Sequence, residues 1–144
     1  MSIIVYNRAE EDHSQHPNNY PIFRGGSILG NPYTDKPLKK TMAIYHVRTR
    51  EEAIARYSAY FDMKYNTDND FRNIVDEIYE KYRNGEDIYL ECYCKPLPCH
   101  GDIIAEKLQR RLLREKIREV KNKRNEMGQI LSSSGNRNDT REDT

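Results

Sequence analysis

All three cysteines of the chain crowd into the segment Cys92-Tyr93-Cys94-Lys95-Pro96-Leu97-Pro98-Cys99, and His100 follows at once. This order admits three chemistries. Cys99 in the first turn of a helix would have its thiol pKa lowered by the helix dipole, with His100 beside it as a base, which makes a nucleophile. Alternatively, Cys92, Cys94, Cys99 and His100 supply the thiolate and imidazole donors of one zinc ion, although structural zinc sites draw paired knuckles from two separated segments. In the plainest reading Cys92 and Cys94 are small buried apolar residues, and only Cys99-His100 faces a cleft. Asp102 sits where a carboxylate suits a helix start. It either caps that helix, orients His100 or holds a ribose hydroxyl. Clustered cysteines of odd number do not make the disulfide framework of a small secreted fold.

A second chemical segment reads Phe23-Arg24-Gly25-Gly26-Ser27-Ile28-Leu29-Gly30-Asn31-Pro32-Tyr33 and holds three of the seven glycines. Glycine tolerates positive φ and has no Cβ to block a ligand, so backbone N–H groups here can approach an anion. Arg24 adds a guanidinium that can clamp phosphate or carboxylate. A tight turn beside an arginine accounts for the same residues. The segment matches neither the P-loop nor the dinucleotide fingerprint.

The elements that must position these segments are legible in the hydrophobic pattern. Ile3-Ile4-Val5-Tyr6 reads as a buried strand opening an α/β domain. Ala9 to Tyr20 has no period and reads as a loop that orders around a ligand. Met42 to Val47 reads as a second strand, after which Thr49-Arg50-Glu51-Glu52 forms a capping box for a helix burying Ile54, Tyr57 and Phe61. A further helix follows Asp68-Asn69, with Phe71, Ile74, Val75, Ile78, Tyr79 and Tyr82 on one face and a stop at Asn84-Gly85. Asp87 to Cys94 alternates, placing Ile88, Leu90, Cys92 and Cys94 on one face of a strand and Tyr89, Glu91 and Tyr93 on the other. Lys95 to Pro98 breaks that strand. A long helix then starts near Cys99, with Ile104, Leu108, Leu112, Leu113, Ile117 and Val120 as its apolar stripe.

The 144 residues suffice for one modest core. The 24 basic and 23 acidic side chains nearly cancel, but they are segregated: residues 1–106 carry net −4 and residues 107–144 net +5. An electrostatic partner is therefore expected at the C-terminal part. From Lys107 to Arg124 basic residues face only Glu115 and Glu119; a charged helix face of this kind is usually just solvated. No apolar run approaches the ~20 residues of a membrane span, and the first residues do not read as a signal peptide. The expectation is a cytoplasmic protein without a membrane partner. The organisation expected is an α/β domain over 1–113, a basic helical extension over 114–131 that could pair subunits as a homo-oligomer, and a disordered tail over 132–144.

Taken together, Arg24-Gly25-Gly26-Ser27-x-Leu29-Gly30-Asn31-Pro32-Tyr33 and Cys92-Tyr93-Cys94 through Cys99-His100-Gly101-Asp102-Ile103-Ile104 resemble the DUF4326 family, common in bacteriophages. That family carries an Arg-Gly-Ser-like segment running into Gly-Asn-Pro-aromatic and a Cys-Trp-Cys...Cys-His-Gly-Asp signature. The helix opening at Thr49, with Tyr57, is also similar to the family's middle segment. Tyr93 stands where the family usually has tryptophan, and the Gly25-Gly26 pair is one residue longer than its simpler pattern. The Cys-His element is further similar to that of the Rossmann-like DUF488 family. The resemblance implies a small, single-domain, Rossmann-like three-layer α/β fold with a C-terminal helical extension. It points to Arg24, Gly30, Asn31 and Pro32 in one loop and to Cys92, Cys94, Cys99, His100, Gly101 and Asp102 in the other; with Gly25, Gly26 and Ser27 of the glycine segment and Gly101, the first makes the expected ligand loop, facing a chemical trio of Cys99, His100 and Asp102. The expected ligand is a phosphorylated nucleotide or an ADP-ribose-like molecule, such as a host signalling nucleotide that a phage protein sequesters or processes. A Cys/His-dependent nucleotide hydrolase or transferase is the enzymatic alternative. A nucleic-acid or host-protein adaptor working through the basic helix is the non-enzymatic one.

Overall fold

The computed structural model describes residues 2–40 and 43–131, with backbone only at residue 40 and from 126 onward. Among the described residues, four short strands, β1 Ile3–Asn7, β2 Asn19–Pro21, β3 Tyr33–Thr34 and β4 Tyr45–His46, precede two α-helices, and a fifth, β5 Ile88–Cys92, lies between these and a third. The helices are α1 Arg50–Thr67, α2 Asn69–Arg83 and α3 His100–Leu131, and a single 3-10 turn spans Leu38–Lys40. The fold is mixed α/β around a small parallel sheet of order β1-β5-β2, with β3 and β4 paired in parallel as a separate ribbon.

β5 is the central strand because it is apolar on the face it shares with the helices: Ile88, Leu90 and Cys92 are buried. Val5 and Tyr20 flank Leu90 in register and extend that face. The Tyr20 hydroxyl donates to Glu77 of α2 at 2.6 Å, and the first turn of α3 packs by Gly101 on Val5 and Ile22. The helices start where capping chemistry starts them. Thr49 Oγ1 accepts the Glu52 N–H at 3.1 Å, and Glu52 returns a carboxylate oxygen to the Arg48 N–H. Asp68 ends α1 and accepts the Asp70 and Phe71 N–H groups that open α2. α2 stops at Asn84 because Gly85 turns away at φ 93°.

Three expectations are corrected. The strand expected over 42–47 is only Tyr45–His46, and its expected first residue, Met42, lies outside the described residues. On α1 the buried positions are Ala53, Tyr57 and Phe61, while Ile54 is half-buried. The segment 9–20, expected as a loop throughout, runs into β2, and it lies on the sheet face opposite the helices, where the His13 ring stacks on Tyr89 at 4.3 Å and meets Tyr6 edge-on at 4.8 Å. Its aromatic side chains replace the apolar period that would have announced it. Glu91, on the strand face that alternation gives it with Tyr89, is buried beneath this segment. It accepts from Asn19 Nδ2 at 2.8 Å and from Tyr6, and it pairs with Arg8 at 3.5 Å. Burial, and after it the Glu91 charge, push the Tyr6 hydroxyl up to about 12.

The chain divides into two compact units, 1–108 and 109–144. The first holds the sheets, α1 and α2. In the second, Leu113, Ile117 and Val120 of α3 are exposed. The tail expected over 132–144 lies outside the described residues. Among the described residues, no helix is long and apolar enough to cross a membrane.

Candidate functional site

The parallel strands β1 and β5 end together, Asn7 opposite Cys92, and the chain beyond them must be held open rather than zipped. Two helices begin at that edge. Arg50 is the first residue of α1 and His100 the first of α3, and both residues line the space at that edge, where each helix dipole has its positive end. Between them lies a cavity of about 510 Å³. Its cations are Arg24, Lys36 and Arg50, its aromatic walls Phe23, Tyr33 and Tyr93, and its thiols Cys92, Cys94 and Cys99. Asn31, Thr34, Asp35 and His100 complete the polar lining, and Ala53, Ile54 and Leu97 the apolar one.

The three thiols form one cluster. Cys92 and Cys99 lie Sγ to Sγ at 3.8 Å, both buried, and Cys94 is half-buried. The Leu97 N–H donates to the Cys94 carbonyl at 2.9 Å, a turn that folds the chain back so that Cys99 returns beside Cys94. The Cys94 thiol is held far below its ordinary range, because the Cys92 and Cys99 thiols hydrogen-bond to it and Arg50 lies against it. Cys99 is pushed up by the same shared hydrogen bonds and by burial. The arrangement therefore favours Cys94, not Cys99, as the thiolate. Sequence position pointed to Cys99 because it precedes a helix, but Cys99 stands inside the cluster as a donor while Cys94 receives.

His100 is buried, with Nε2 2.7 Å from the Ile22 carbonyl and its ring edge against Tyr57 at 4.8 Å. Burial lowers its pKa, so the neutral imidazole donates to Ile22. His100 ties α3 to the residue after β2. Asp102 is occupied too: it accepts the Cys99 N–H at 3.2 Å and the Lys95 ammonium at 2.6 Å, closing the start of α3. Its role is the cap. Among the described residues, no group of three or more His, Cys, Asp or Glu side chains is arranged to hold a metal ion.

The glycine loop divides in the same way. Gly26 donates its N–H to Phe23, Gly30 to Ser27, and Ser27 Oγ accepts the Leu29 N–H at 2.9 Å. The N–H groups of Gly26, Leu29 and Gly30 are thus spent on the loop's own turns. Gly25, Gly26, Ser27, Gly30 and Pro32 do not line the cavity, and neither does Gly101. Their glycines serve close approach: a Cβ on Gly26 would strike the Phe23 ring at 2.2 Å, and one on Gly101 would meet Ile22 and Val5 at 2.7 Å. Asn31 is buried and bridges, donating to the Ala53 carbonyl at 3.1 Å and accepting the Tyr33 N–H at 3.0 Å. Arg24 Nη1 donates to the carbonyls of Asn31 and Tyr33 at 2.8 and 3.1 Å. It braces the loop while lining the cavity, and burial lowers its pKa.

Arg50, Lys36, Asp35, Phe23 and Tyr93 are the cavity residues that sequence reasoning missed. For Arg50 a signal existed: as the residue after a capping threonine it had to sit at an α-helix N-terminus, where it adds to the dipole. The others come from turns whose direction no periodicity encodes.

A family model described as a domain of unknown function, DUF4326, matches residues 5–110 and so spans both motif segments. No curated protein and no solved structure matches the chain.

Proposed function

The chain belongs to the DUF4326 family, and on that premise we propose that it binds a phosphorylated nucleotide or an ADP-ribose-like molecule in the cavity at the strand ends. The observation that carries this is the convergence of Arg24, Lys36, Arg50 and two helix N-termini on one cavity with aromatic walls. Helix N-termini attract phosphate through their free N–H groups, and Arg24 and Arg50 add charge-assisted donors. Phe23 and Tyr93, in edge contact at 5.0 Å, with Tyr33 opposite the cations in character, offer faces for a base. Asp35 is an acceptor for ribose hydroxyls. The cavity's size suits a nucleotide-sized ligand. The fold is taken as Rossmann-like, where ligands sit beyond the carboxyl ends of parallel strands. The wider setting is that of a phage-encoded protein in host cytoplasm, sequestering or processing a signalling nucleotide.

Calorimetry and thermal unfolding with AMP, ADP and ADP-ribose test this. A ligand at about 100 times its Kd stabilises by about 2.7 kcal/mol, which raises Tm by several degrees in a protein of this size. Arg50→Ala is expected to weaken that ligand by at least about tenfold, the loss of one charged hydrogen bond. No stabilisation by any of the three at millimolar concentration overturns the proposal.

The enzymatic alternative draws on a specific observation, the half-buried Cys94 beside Arg50 in the same cavity. Under it Cys94 replaces Cys99 as the group that attacks the ligand, and Cys94→Ser abolishes turnover while leaving nucleotide affinity unchanged.

A further inference from the structure

The strand β5, the turn after it and the start of α3 bring all three cysteines together at a cavity wall. Cys92 and Cys99 are buried, whereas Cys94 stands half-buried at the cavity with Arg50 against it. Arg50 is drawn toward this wall by a hydrogen bond of 3.3 Å to the Pro98 carbonyl, in the loop between Cys94 and Cys99.

We propose that Cys94 and Cys99 form a redox-active pair in which Cys94 is oxidised by a hydroperoxide and Cys99 resolves it. The Cys94 thiolate attacks one peroxide oxygen; an S–O bond forms, the O–O bond breaks, and the leaving oxygen departs as hydroxide, or as alkoxide from an alkyl hydroperoxide. Sulfur loses two electrons and the peroxide gains them. Arg50 and the α1 and α3 N-termini stabilise the negative charge that develops on the leaving oxygen. The Cys99 sulfur then attacks the Cys94 sulfenic acid, forming the disulfide and releasing water that carries away the Cys99 proton and the sulfenic hydroxyl. The low position of the Cys94 thiol supports its role as the first attacker, and the protonated Cys99 its role as the second. Cys92 donates to Cys94 from the strand side. Its position two residues away on the same chain makes closure with Cys94 more strained than closure with Cys99. The pair is independent of which nucleotide the cavity takes.

The experiment treats reduced full-length protein with hydrogen peroxide and follows intact mass and cysteine-linked peptides. The expected product has lost the two thiol hydrogens, carries a Cys94–Cys99 link and returns to the starting mass with dithiothreitol. Cys94 is expected to react at least about tenfold faster than free cysteine. Cys99→Ser is expected to stop at the sulfenic acid, trapped by dimedone on Cys94, and Arg50→Ala to slow the first step. Peptide mapping of the unaltered protein keeps the test valid should a cysteine variant fail to fold. A link that joins Cys92 to Cys99, a Cys94 no faster than free cysteine, or purified protein whose three thiols are shielded by a bound metal each overturns the proposal.

Discussion

His100 shows how far a single side chain's role depends on its surroundings. Read in sequence it is a base beside a thiol; in the fold it is a buried neutral imidazole bonded to the Ile22 carbonyl. Because burial lowers its pKa from the ordinary 6.5, the folded protein resists a proton that the unfolded chain accepts. Below about 6.5 the unfolded state binds more protons, so stability is present above that pH and is lost as pH falls. Tm is expected to drop between about pH 7 and pH 5 in the unaltered protein. His100→Gln, which keeps a donor for Ile22 without the titration, is expected to flatten that part of the curve. Thermal melts across this range check it, and equal slopes would place the sensitivity elsewhere. The lowered carboxyls of Asp12, Glu52 and Asp68 act at lower pH, while the lowered Cys94 thiol adds a slope of the same sign that both proteins share and their comparison cancels.

At the scale of elements, the contact that fixes the cavity is the first turn of α3 against β1 and the residue after β2. Gly101 makes it possible, since any Cβ there lies 2.7 Å from both Ile22 Cδ1 and Val5 Cγ1. Gly101→Ala would gain at most about 1 kcal/mol of helix propensity, while overpacking a core costs typically 1–3 kcal/mol. The second effect wins, and denaturant unfolding is expected to show a net loss of roughly 1 kcal/mol or more. A stabilised variant would mean that α3 shifts freely on the sheet. The caps were readable in advance because each is local: Thr49 with Glu52, and Asp68 with the N–H groups of Asp70 and Phe71. The pairing of β2 with β5 was not, since three residues separated from their partner by about seventy positions carry no period of their own.

Over the whole molecule the charge is divided: net −4 over residues 1–106 and +5 over 107–144. Arg114, Lys116, Arg118, Lys121, Lys123 and Arg124 are exposed on α3. The apolar positions Leu113, Ile117 and Val120 follow a heptad-like seam, but Arg114, Lys116, Lys121 and Lys123 flank it on both sides. A second copy would bring like charges together. An acidic partner or a polyanion fits better, which keeps the adaptor alternative distinct from the cavity. Heparin or duplex DNA is expected to bind at low salt and to release steeply as salt rises, the signature of counterion release. Reversing charge with Arg114→Glu and Lys121→Glu is expected to flatten that dependence. Binding indifferent to salt would count against the adaptor role.

The order and type of the helices, the first and last strands and the family followed from the sequence alone, because capping residues and apolar periods act within a few positions along the chain. Which residues face the cavity was decided only by the tertiary structure. The glycine loop read equally as a phosphate cradle or as a tight turn, and the Gly26, Leu29 and Gly30 N–H groups bond to oxygens of the loop itself. Arg50, from a different element, supplies the charge beside Cys94. Glu91 alternates onto the face away from Leu90 and is buried there, because an aperiodic segment carrying His13 closes over it. Alternation records where a side chain points relative to its own strand. It holds no information about what distant chain arrives to cover it, and that arrival sets both burial and the chemistry of the thiols.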